Sequence, residues 1–373
     1  MKKFQLCIAG KNQIAVNVLQ FLLKAGVREE LLVCPIRDDD GVNSWQPSLR
    51  YYAIKNNIRT ITIQQAQDIG DLVFISLEYD CLIRPHLFST TRLYNLHFSA
   101  LPQFKGMYTS SIPILLGSRY SGVTIHEIDR GIDTGPIVSQ LLFDIEDHWS
   151  ARDLYYAYMS YGFLLFKETF SSLISEFPPE STPQNSSGSS YFSKKYINYS
   201  NLSINLFQTA EQIVRQLRAF TFREYQVPVV HGLSVGAWNI LDERSYGTPG
   251  SILERNAHSL LICTVDYNLL LTQQVEWEWF SVDENSSLGG LDQSNIDITD
   301  KSGLTPLMYA AQSGNYALCS LLLSNGANPN KSDLNGRTPL MVAEFCQDDQ
   351  RRLQTIELLI NYGAHHEFID NMD

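Results

Sequence analysis

The first 80 residues alternate between short apolar runs and segments in which apolar side chains recur every three or four positions. Residues 4–9 and 72–77 are apolar runs of strand length, and residues 31–35 and 58–63 are further strand candidates. After the turn at Gly10, apolar residues from Ile14 to Leu23 recur at helical spacing. This alternation predicts an α/β fold with a parallel-rich sheet and helical crossovers. Ligands of such sheets bind beyond the carboxyl ends of the strands.

The pattern changes near residue 177. Residues 177–190 have the Pro, Ser and Gly content of a loop, and residues 211–220 read as one helix. Residues 227–241 and 251–273 are β-rich and are separated by turn residues. We therefore expect a large α/β domain over residues 1–190 and a small β-rich domain over residues 191–285.

The C-terminal part contains an internal repeat. Residues 300–310 recur at 333–343, an offset of 33 residues, which is the ankyrin period. The LLLSNGA segment at 321–327 is matched by LLINYGA at 358–364. The repeat predicts an α-helical ankyrin module over residues 286–373.

Composition and charge narrow the class of protein. The chain has 44% hydrophobic and 18% charged residues, as a globular protein does, and its net charge of −12 disfavours binding to nucleic acid. Its apolar runs are far shorter than the roughly 20 residues of a membrane-spanning helix. The six cysteines are scattered without a CxxC pair, which favours reduced thiols, a cytoplasmic location and no metal site.

Two short polar segments are the candidates for chemistry. Asn95 and His97 lie two residues apart, so an extended chain would place both side chains on one face. Asp133 lies between Gly131 and Gly135, which suits a tight loop that presents a carboxylate. Taken singly, the first pair also fits ordinary core polar residues and the second segment fits a plain glycine turn.

Together, the NLH segment running to Leu101-Pro102 and the later GIDTG loop resemble the formyltransferases that use N10-formyltetrahydrofolate. The resemblance covers about residues 1–200 and implies a Rossmann-like domain with Asn95, His97 and Asp133 as the catalytic trio. It also implies that an amine attacks the formyl carbon. His97 would then act as the base, Asn95 would stabilise the oxyanion, and Asp133 would orient His97.

The resemblance also suggests where the folate cosubstrate binds. In the family the pterin lies beside the segment that precedes the NxH strand, which here is residues 75–83. A buried strand end is the alternative interpretation of this segment. The candidate folate-binding residues are Leu77, Glu78, Tyr79, Cys81, Ile83 and Asp129.

The formylated amine is a separate question. Family members act on glycinamide ribonucleotide, methionyl-tRNA or nucleotide-linked amino sugars. The acidic charge disfavours tRNA, and the length disfavours the glycinamide enzyme. Residues 104–110 and 217–228 resemble the sugar-nucleotide N-formyltransferases. An ankyrin extension narrows the resemblance to enzymes that act on dTDP-3-amino-3,6-dideoxyglucose.

Cations beside aromatic residues suit a nucleotide diphosphate. Lys11 and Asn12 at a helix start, with Lys105 and Arg218, are candidates for the phosphates, and Phe222 or Tyr225 could stack on the base. The alternative is that these aromatic residues belong to the core. The remaining substrate-binding candidates are Met107, Tyr108 and Thr109.

We therefore expect a cytoplasmic homodimeric N-formyltransferase that serves surface polysaccharide (O-antigen) synthesis. A dTDP-4-amino-4,6-dideoxyglucose acceptor stays open. So does an ankyrin scaffold with a catalytically silent enzyme domain. The partner of the ankyrin module could be a protein or a small ligand.

Overall fold

The computed structural model describes residues 4–42, 46–222, 225–273, 303–333, 337–344 and 349–365, together with Ile296, Asp297, Thr299 and Cys346. The chain divides into two compact units, Met1–Gln274 and Val275–Asp373. The boundary expected after residue 190 falls inside the first unit. The boundary expected after residue 285 lies outside the described residues.

A seven-stranded sheet organises the first unit. Its strands are β1 (Gln5–Gly10), β2 (Leu31–Pro35), β3 (Arg59–Thr60), β4 (Leu72–Leu77), β5 (Leu93–His97), β7 (Tyr120–Glu127) and β8 (Ile137–Asp144), and the short strands β6 (Lys105–Gly106) and β9 (Tyr191–Phe192) pair separately. The order in the sheet is β3-β2-β1-β4-β5-β7-β8; the first five strands in this order are parallel, and β7 and β8 each run antiparallel to the strand before them. Leu6, Ile8, Val73 and Ile75 on the central strands are buried, so the sheet is the centre of the core.

Helices pack against this sheet, as the alternating pattern predicted. The longest, α5, begins after Ser150, whose side chain forms a capping box with Asp153. The helices of this part are α1 (Asn12–Lys24), α2 (Leu49–Lys55), α3 (Ile63–Gln67), α4 (Ile112–Leu115) and α5 (Ala151–Leu173).

One predicted strand is much shorter than expected. The strand candidate at 58–63 gives only β3 (Arg59–Thr60), because Thr62 forms a capping box with Gln65 and starts α3 at Ile63. Ile58 and Ile61 are nevertheless buried, so their apolar character serves packing without further strand pairing.

A second, antiparallel sheet follows in the same unit. A single helix, α6 (Ala210–Phe220), covers it, and Ile213 and Leu217 pack with Val235, Leu260 and Leu269 in a core of their own. The strands are β10 (Val229–Val230), β11 (Leu233–Arg244), β12 (Ile252–Arg255), β13 (Ser259–Ile262) and β14 (Tyr267–Gln273). The β-rich pattern of residues 227–273 is therefore confirmed.

The second unit contains the helix pairs that the repeat predicted. Thr305 and Thr338, one period apart, accept hydrogen bonds from Met308 N and Met341 N and cap equivalent helices that begin with proline. The helices are α7 (Pro306–Gln312), α8 (Tyr316–Ser324), α9 (Pro339–Ala343) and α10 (Asp349–Asn361). Buried Leu307, Leu322, Leu340 and Leu359 share one core. No helix in the described residues is both long and apolar enough to cross a bilayer.

Candidate active site

Asn95, His97 and Asp133 meet at the carboxyl end of β5. Strand β5 is paired with β4 on one side and β7 on the other, which fixes Asn95 beside Ser76 and His126. His97 is the last residue of the strand and is buried. The distance from His97 Nδ1 to Asp133 Oδ1 is 3.6 Å, and Asn95 Nδ2 lies 3.5 Å from the same oxygen. The structure therefore brings the predicted trio together.

The tautomer of His97 follows from its hydrogen bonds. Its Nε2 lies 3.0 Å from the carbonyl oxygen of Phe104, and because a carbonyl can only accept, Nε2 carries a proton. In the neutral ring, Nδ1 is then the unprotonated nitrogen. Since Nδ1 faces Asp133, the nitrogen that can accept a proton also faces a carboxylate.

The Asp133 loop is held in an unusual backbone conformation. Asp133 has φ of 52°, in the left-handed region that non-glycine residues rarely adopt. A Cβ at Gly135 would lie 1.8 Å from the carbonyl oxygen of Glu127, so this position requires glycine. The carboxylate is fixed on its other side, where Oδ2 accepts a 2.8 Å hydrogen bond from Gly106 N.

Electrostatics keep this carboxylate ionised. Burial opposes ionisation of Asp133, but His97, His126 and the Gly106 amide outweigh it and hold the pKa of the carboxyl well below its usual range. Burial lowers the pKa of His97, and Asp133 only partly opposes that effect. The site therefore places an imidazole that can accept a proton beside a carboxylate that can stabilise the cation formed.

His126 is a fourth member of the site that the sequence did not single out. Its Nδ1 lies 2.7 Å from the carbonyl of Glu127 and so carries the proton, which leaves Nε2 to accept from Asn95 Nδ2 at 3.2 Å. One N–H of Asn95 is thereby anchored, and the second is directed toward Asp133. The antiparallel register that sets Asn95 opposite His126 would have revealed this residue.

The trio opens into a cleft of about 440 Å³. Among the folate-binding candidates, Glu78, Tyr79, Cys81, Ile83 and Asp129 line it. Leu77 does not: it is fully buried, and its carbonyl accepts a hydrogen bond from Lys11 N. Asp129 Oδ1 accepts from Gly131 N and Thr134 Oγ1, so this carboxylate also shapes the catalytic loop.

A hydrogen-bond network joins the start of α1, the residue after β4 and α5 beside this cleft. Asn12 Nδ2 donates to Glu78 Oε2 and to Tyr155 Oη, and Tyr155 Oη donates to Glu78 Oε2 at 2.9 Å. Burial raises the pKa of the Glu78 carboxyl, while Lys11, Tyr155 and Asn12 act in the opposite direction. Tyr155 was also missed by the sequence, because its place on α5 is remote from both motifs.

Comparison with known proteins of similar sequence and structure identifies the family of this chain. A family model described as "Formyl transferase" matches residues 64–162. The N-formyltransferase from Helicobacter canadensis, crystallised with folinic acid and dTDP-3-aminofucose, is 40% identical, and the match covers 72% of this chain and 99% of that one with a TM-score of 0.67. The chain belongs to the N-formyltransferase family.

Two further comparisons place this N-formyltransferase within its family. WlaRD, a sugar 3N-formyl transferase crystallised with dTDP and 5-N-formyl-THF, is 38% identical, with 74% of this chain and 100% of that one covered and a TM-score of 0.68. The methionyl-tRNA formyltransferase of Fervidobacterium nodosum is 28% identical over 58% of this chain and 71% of its own length. A model for ankyrin repeats in three copies matches residues 281–370.

The substrate-binding candidates of this N-formyltransferase fall into two groups. Lys11, Met107, Tyr108 and Thr109 line the cleft, and Met107 is 46% exposed. Lys105 is buried in β6 (Lys105–Gly106), which pairs with β9 (Tyr191–Phe192), and it is not among the lining residues. Lys11 also lines a second cavity of about 280 Å³, together with Asn12 and residues from 36–42 and 46–48.

Arg218 has a different role from the one expected. It is buried on α6, and its guanidinium donates to the carbonyl oxygens of Trp149 and Glu146 at 2.7 and 2.9 Å. Its side chain therefore joins α6 to the segment before α5, so we do not retain it as a phosphate ligand.

The two aromatic candidates differ in exposure. Phe222 is buried against Tyr155, as the core interpretation expected, with ring centroids 5.5 Å apart. Tyr225 is 65% exposed and tilts against Phe222 at 4.9 Å. Tyr225 therefore has the accessible ring face that base stacking needs.

Among the described residues, no group of three or more His, Cys, Asp or Glu side chains is arranged to hold a metal ion.

Proposed function

We propose that this enzyme transfers the formyl group of N10-formyltetrahydrofolate to the amino group of a dTDP-linked amino-dideoxy sugar. The observation that carries the proposal is the likeness to two sugar N-formyltransferases, at 40% and 38% identity over nearly their whole lengths. The trio of Asn95, His97 and Asp133 on the 440 Å³ cleft supplies the groups that such a transfer needs. The product would serve surface polysaccharide synthesis.

The base in this proposal is Nδ1 of His97. The attacking amine must lose a proton as its nitrogen bonds to the formyl carbon, and Nδ1 is the unprotonated ring nitrogen that faces Asp133. Proton transfer creates an imidazolium 3.6 Å from the carboxylate, so Asp133 stabilises a charge that is absent before the reaction. The Nε2–H bond to Phe104 keeps the ring in this orientation.

Asn95 supplies the oxyanion donor. One of its N–H groups is held by His126 Nε2 at 3.2 Å, while the other has only a 3.5 Å contact with Asp133. A weakly engaged donor can transfer its hydrogen bond to an oxygen that gains negative charge when the amine attacks. Loss of one such donor typically costs about 100-fold to 1000-fold in rate.

A nucleotide-linked sugar suits the surroundings of this centre better than tRNA does. Lys11 lines the catalytic cleft, so its positive charge is our candidate for contact with the diphosphate. The exposed ring of Tyr225 is our candidate for contact with the base. The net charge of −12 opposes the many phosphate contacts of tRNA.

The preferred acceptor is dTDP-3-amino-3,6-dideoxyglucose. Support comes from the 3-amino sugar and the 3N-formyl activity named for the two similar structures. A panel of dTDP-3-amino and dTDP-4-amino sugars, with methionyl-tRNA as a third acceptor, tests this choice by release of tetrahydrofolate. We expect the highest kcat/KM with the 3-amino-3,6-dideoxyglucose compound.

Faster turnover of a dTDP-4-amino sugar would overturn the choice of acceptor but retain the reaction. Turnover of methionyl-tRNA alone would overturn the sugar proposal. Absence of transfer to every acceptor, with folded protein, would favour a silent domain that carries an ankyrin scaffold.

A further inference from the structure

The segment after α5 returns across the catalytic centre. Thr182 pairs with Ile137 of β8 through two backbone hydrogen bonds of 2.8 Å. Farther along, Ser190 Oγ accepts from Phe104 N, and Phe192 O accepts from Met107 N. The returning segment, residues 182–192, is thus fastened both to β8 and to the loop whose Phe104 carbonyl holds His97.

Gln184 lies within this segment and contacts the catalytic loop directly. Its Nε2 donates to the carbonyl oxygen of Asp133 and to that of Gly135, both at 2.8 Å. These two carbonyls flank the turn in which Asp133 adopts its left-handed backbone conformation. One side chain therefore holds the backbone at and just after the catalytic carboxylate.

The other half of the Gln184 carboxamide is unsatisfied. Its Oε1 is buried, and among the described residues no group donates to it. An unpaired buried acceptor costs stability, commonly about 1–3 kcal/mol. Such a cost at a native position calls for a reason other than stability, and the loop geometry supplies one.

We infer that Gln184 is a positioning residue for formyl transfer: it holds the Asp133 loop so that the carboxylate faces His97 Nδ1. This inference rests on the proposed role of Asp133. Removal of the Gln184 donor frees the two carbonyls and lets the left-handed turn relax, which moves the carboxylate away from the ring. A displacement of about 1 Å in a catalytic group can cost on the order of 100-fold in rate.

The test compares Gln184→Met, which keeps the volume and removes the donor, with Gln184→Glu, which also sets a carboxylate against the two carbonyls. Gln216→Met is the matched control, because Gln216 is a buried glutamine on α6 that donates to the Asn205 carbonyl and is remote from the trio in sequence. For both Gln184 variants we expect kcat to fall about 10-fold to 100-fold. KM for both substrates should stay within about threefold of wild type, as expected when ground-state binding is intact.

A pH profile separates positioning from loss of folding. The titratable groups that face His97 are Asp133 and His126, and Asp133 is the one that raises the His97 pKa. A displaced Asp133 raises it less, so the acid limb of kcat should move to lower pH in the Gln184 variants. Gln216→Met should keep the wild-type kcat and acid limb.

If both Gln184 variants keep the wild-type kcat while Asp133→Asn is inactive, the positioning role of Gln184 is overturned but the role of Asp133 is not. Full activity in Asp133→Asn would overturn both this inference and the assignment of Asp133. An equal loss of kcat in Gln216→Met would also overturn the inference, because the effect would then be one of general packing.

Discussion

Replacement of Asp133 by Asn removes the negative charge that faces His97. The asparagine side chain has nearly the same shape, and its Oδ1 can still accept the 2.8 Å hydrogen bond from Gly106 N. What is lost is the attraction between the carboxylate and the imidazolium that forms on His97. Asp133→Asn therefore removes this attraction, and it also places an N–H donor where the carboxylate oxygen lay 3.6 Å from His97 Nδ1.

The size of the loss follows from distance and burial. Opposite charges about 4 Å apart attract by about 4 kcal/mol at an effective dielectric constant near 20, and here the two atoms are 3.6 Å apart with side chains 10% and 12% exposed. Part of that attraction is recovered by water and by neighbouring dipoles. We therefore expect kcat to fall about 100-fold to 1000-fold, since each factor of ten corresponds to about 1.4 kcal/mol.

The pH dependence has a definite sign. Asp133 raises the pKa of His97 against the lowering effect of burial, so Asp133→Asn should lower that pKa further. Because the neutral ring is the base, the acid limb of kcat/KM should move to lower pH in the variant. The assay is release of tetrahydrofolate from pH 5 to 9, and Asp144→Asn, at an exposed position on β8, is the control.

A variant that loses less than threefold in kcat, or whose acid limb moves to higher pH, would refute this reasoning. Either outcome would mean that the negative charge of Asp133 does not act on His97 during the reaction.

Other consequences follow from single contacts. His126→Leu should lower kcat about tenfold at unchanged KM, because Asn95 loses the acceptor that orients it; steady-state kinetics check this, and an unchanged kcat contradicts it. Gly135→Ala should lower both kcat and the unfolding temperature, since its Cβ would lie 1.8 Å from the carbonyl oxygen of Glu127. A variant with the wild-type kcat and the wild-type unfolding temperature would contradict this loop geometry. Arg218→Leu leaves the carbonyls of Trp149 and Glu146 unpaired, so it should lower the free energy of unfolding by roughly 2–4 kcal/mol without a change in the KM for the sugar nucleotide. Denaturant titration and steady-state kinetics test this. A raised KM with normal stability would restore the phosphate-binding role of Arg218.

The sequence was sufficient for features that are encoded locally. Strand runs such as residues 72–77 and the repeat of Thr305 at Thr338 were recognised because their periods and caps lie within short windows. Asn95, His97 and Asp133 were found because two local motifs occur together. The strand candidate at 58–63 was misread as a full strand because its helix cap, Thr62, lies inside it.

Features that depend on long-range register were not accessible in this way. His126 reaches Asn95 only through strand pairing, and Gln184 reaches Asp133 only because the segment after α5 turns back over β8. The composition of residues 177–190 predicted only a loop at the end of the α/β domain. Arg218 looked like a phosphate ligand beside aromatic residues, but which face of α6 is buried depends on tertiary packing.

The most direct test mixes the 373-residue protein with N10-formyltetrahydrofolate and dTDP-3-amino-3,6-dideoxyglucose and follows both products. The account predicts stoichiometric release of tetrahydrofolate with formation of the N-formylated dTDP-sugar, and loss of both products in His97→Ala at unchanged folding. Absence of formylated sugar with the wild-type enzyme, or wild-type turnover by the folded His97→Ala variant, would contradict it.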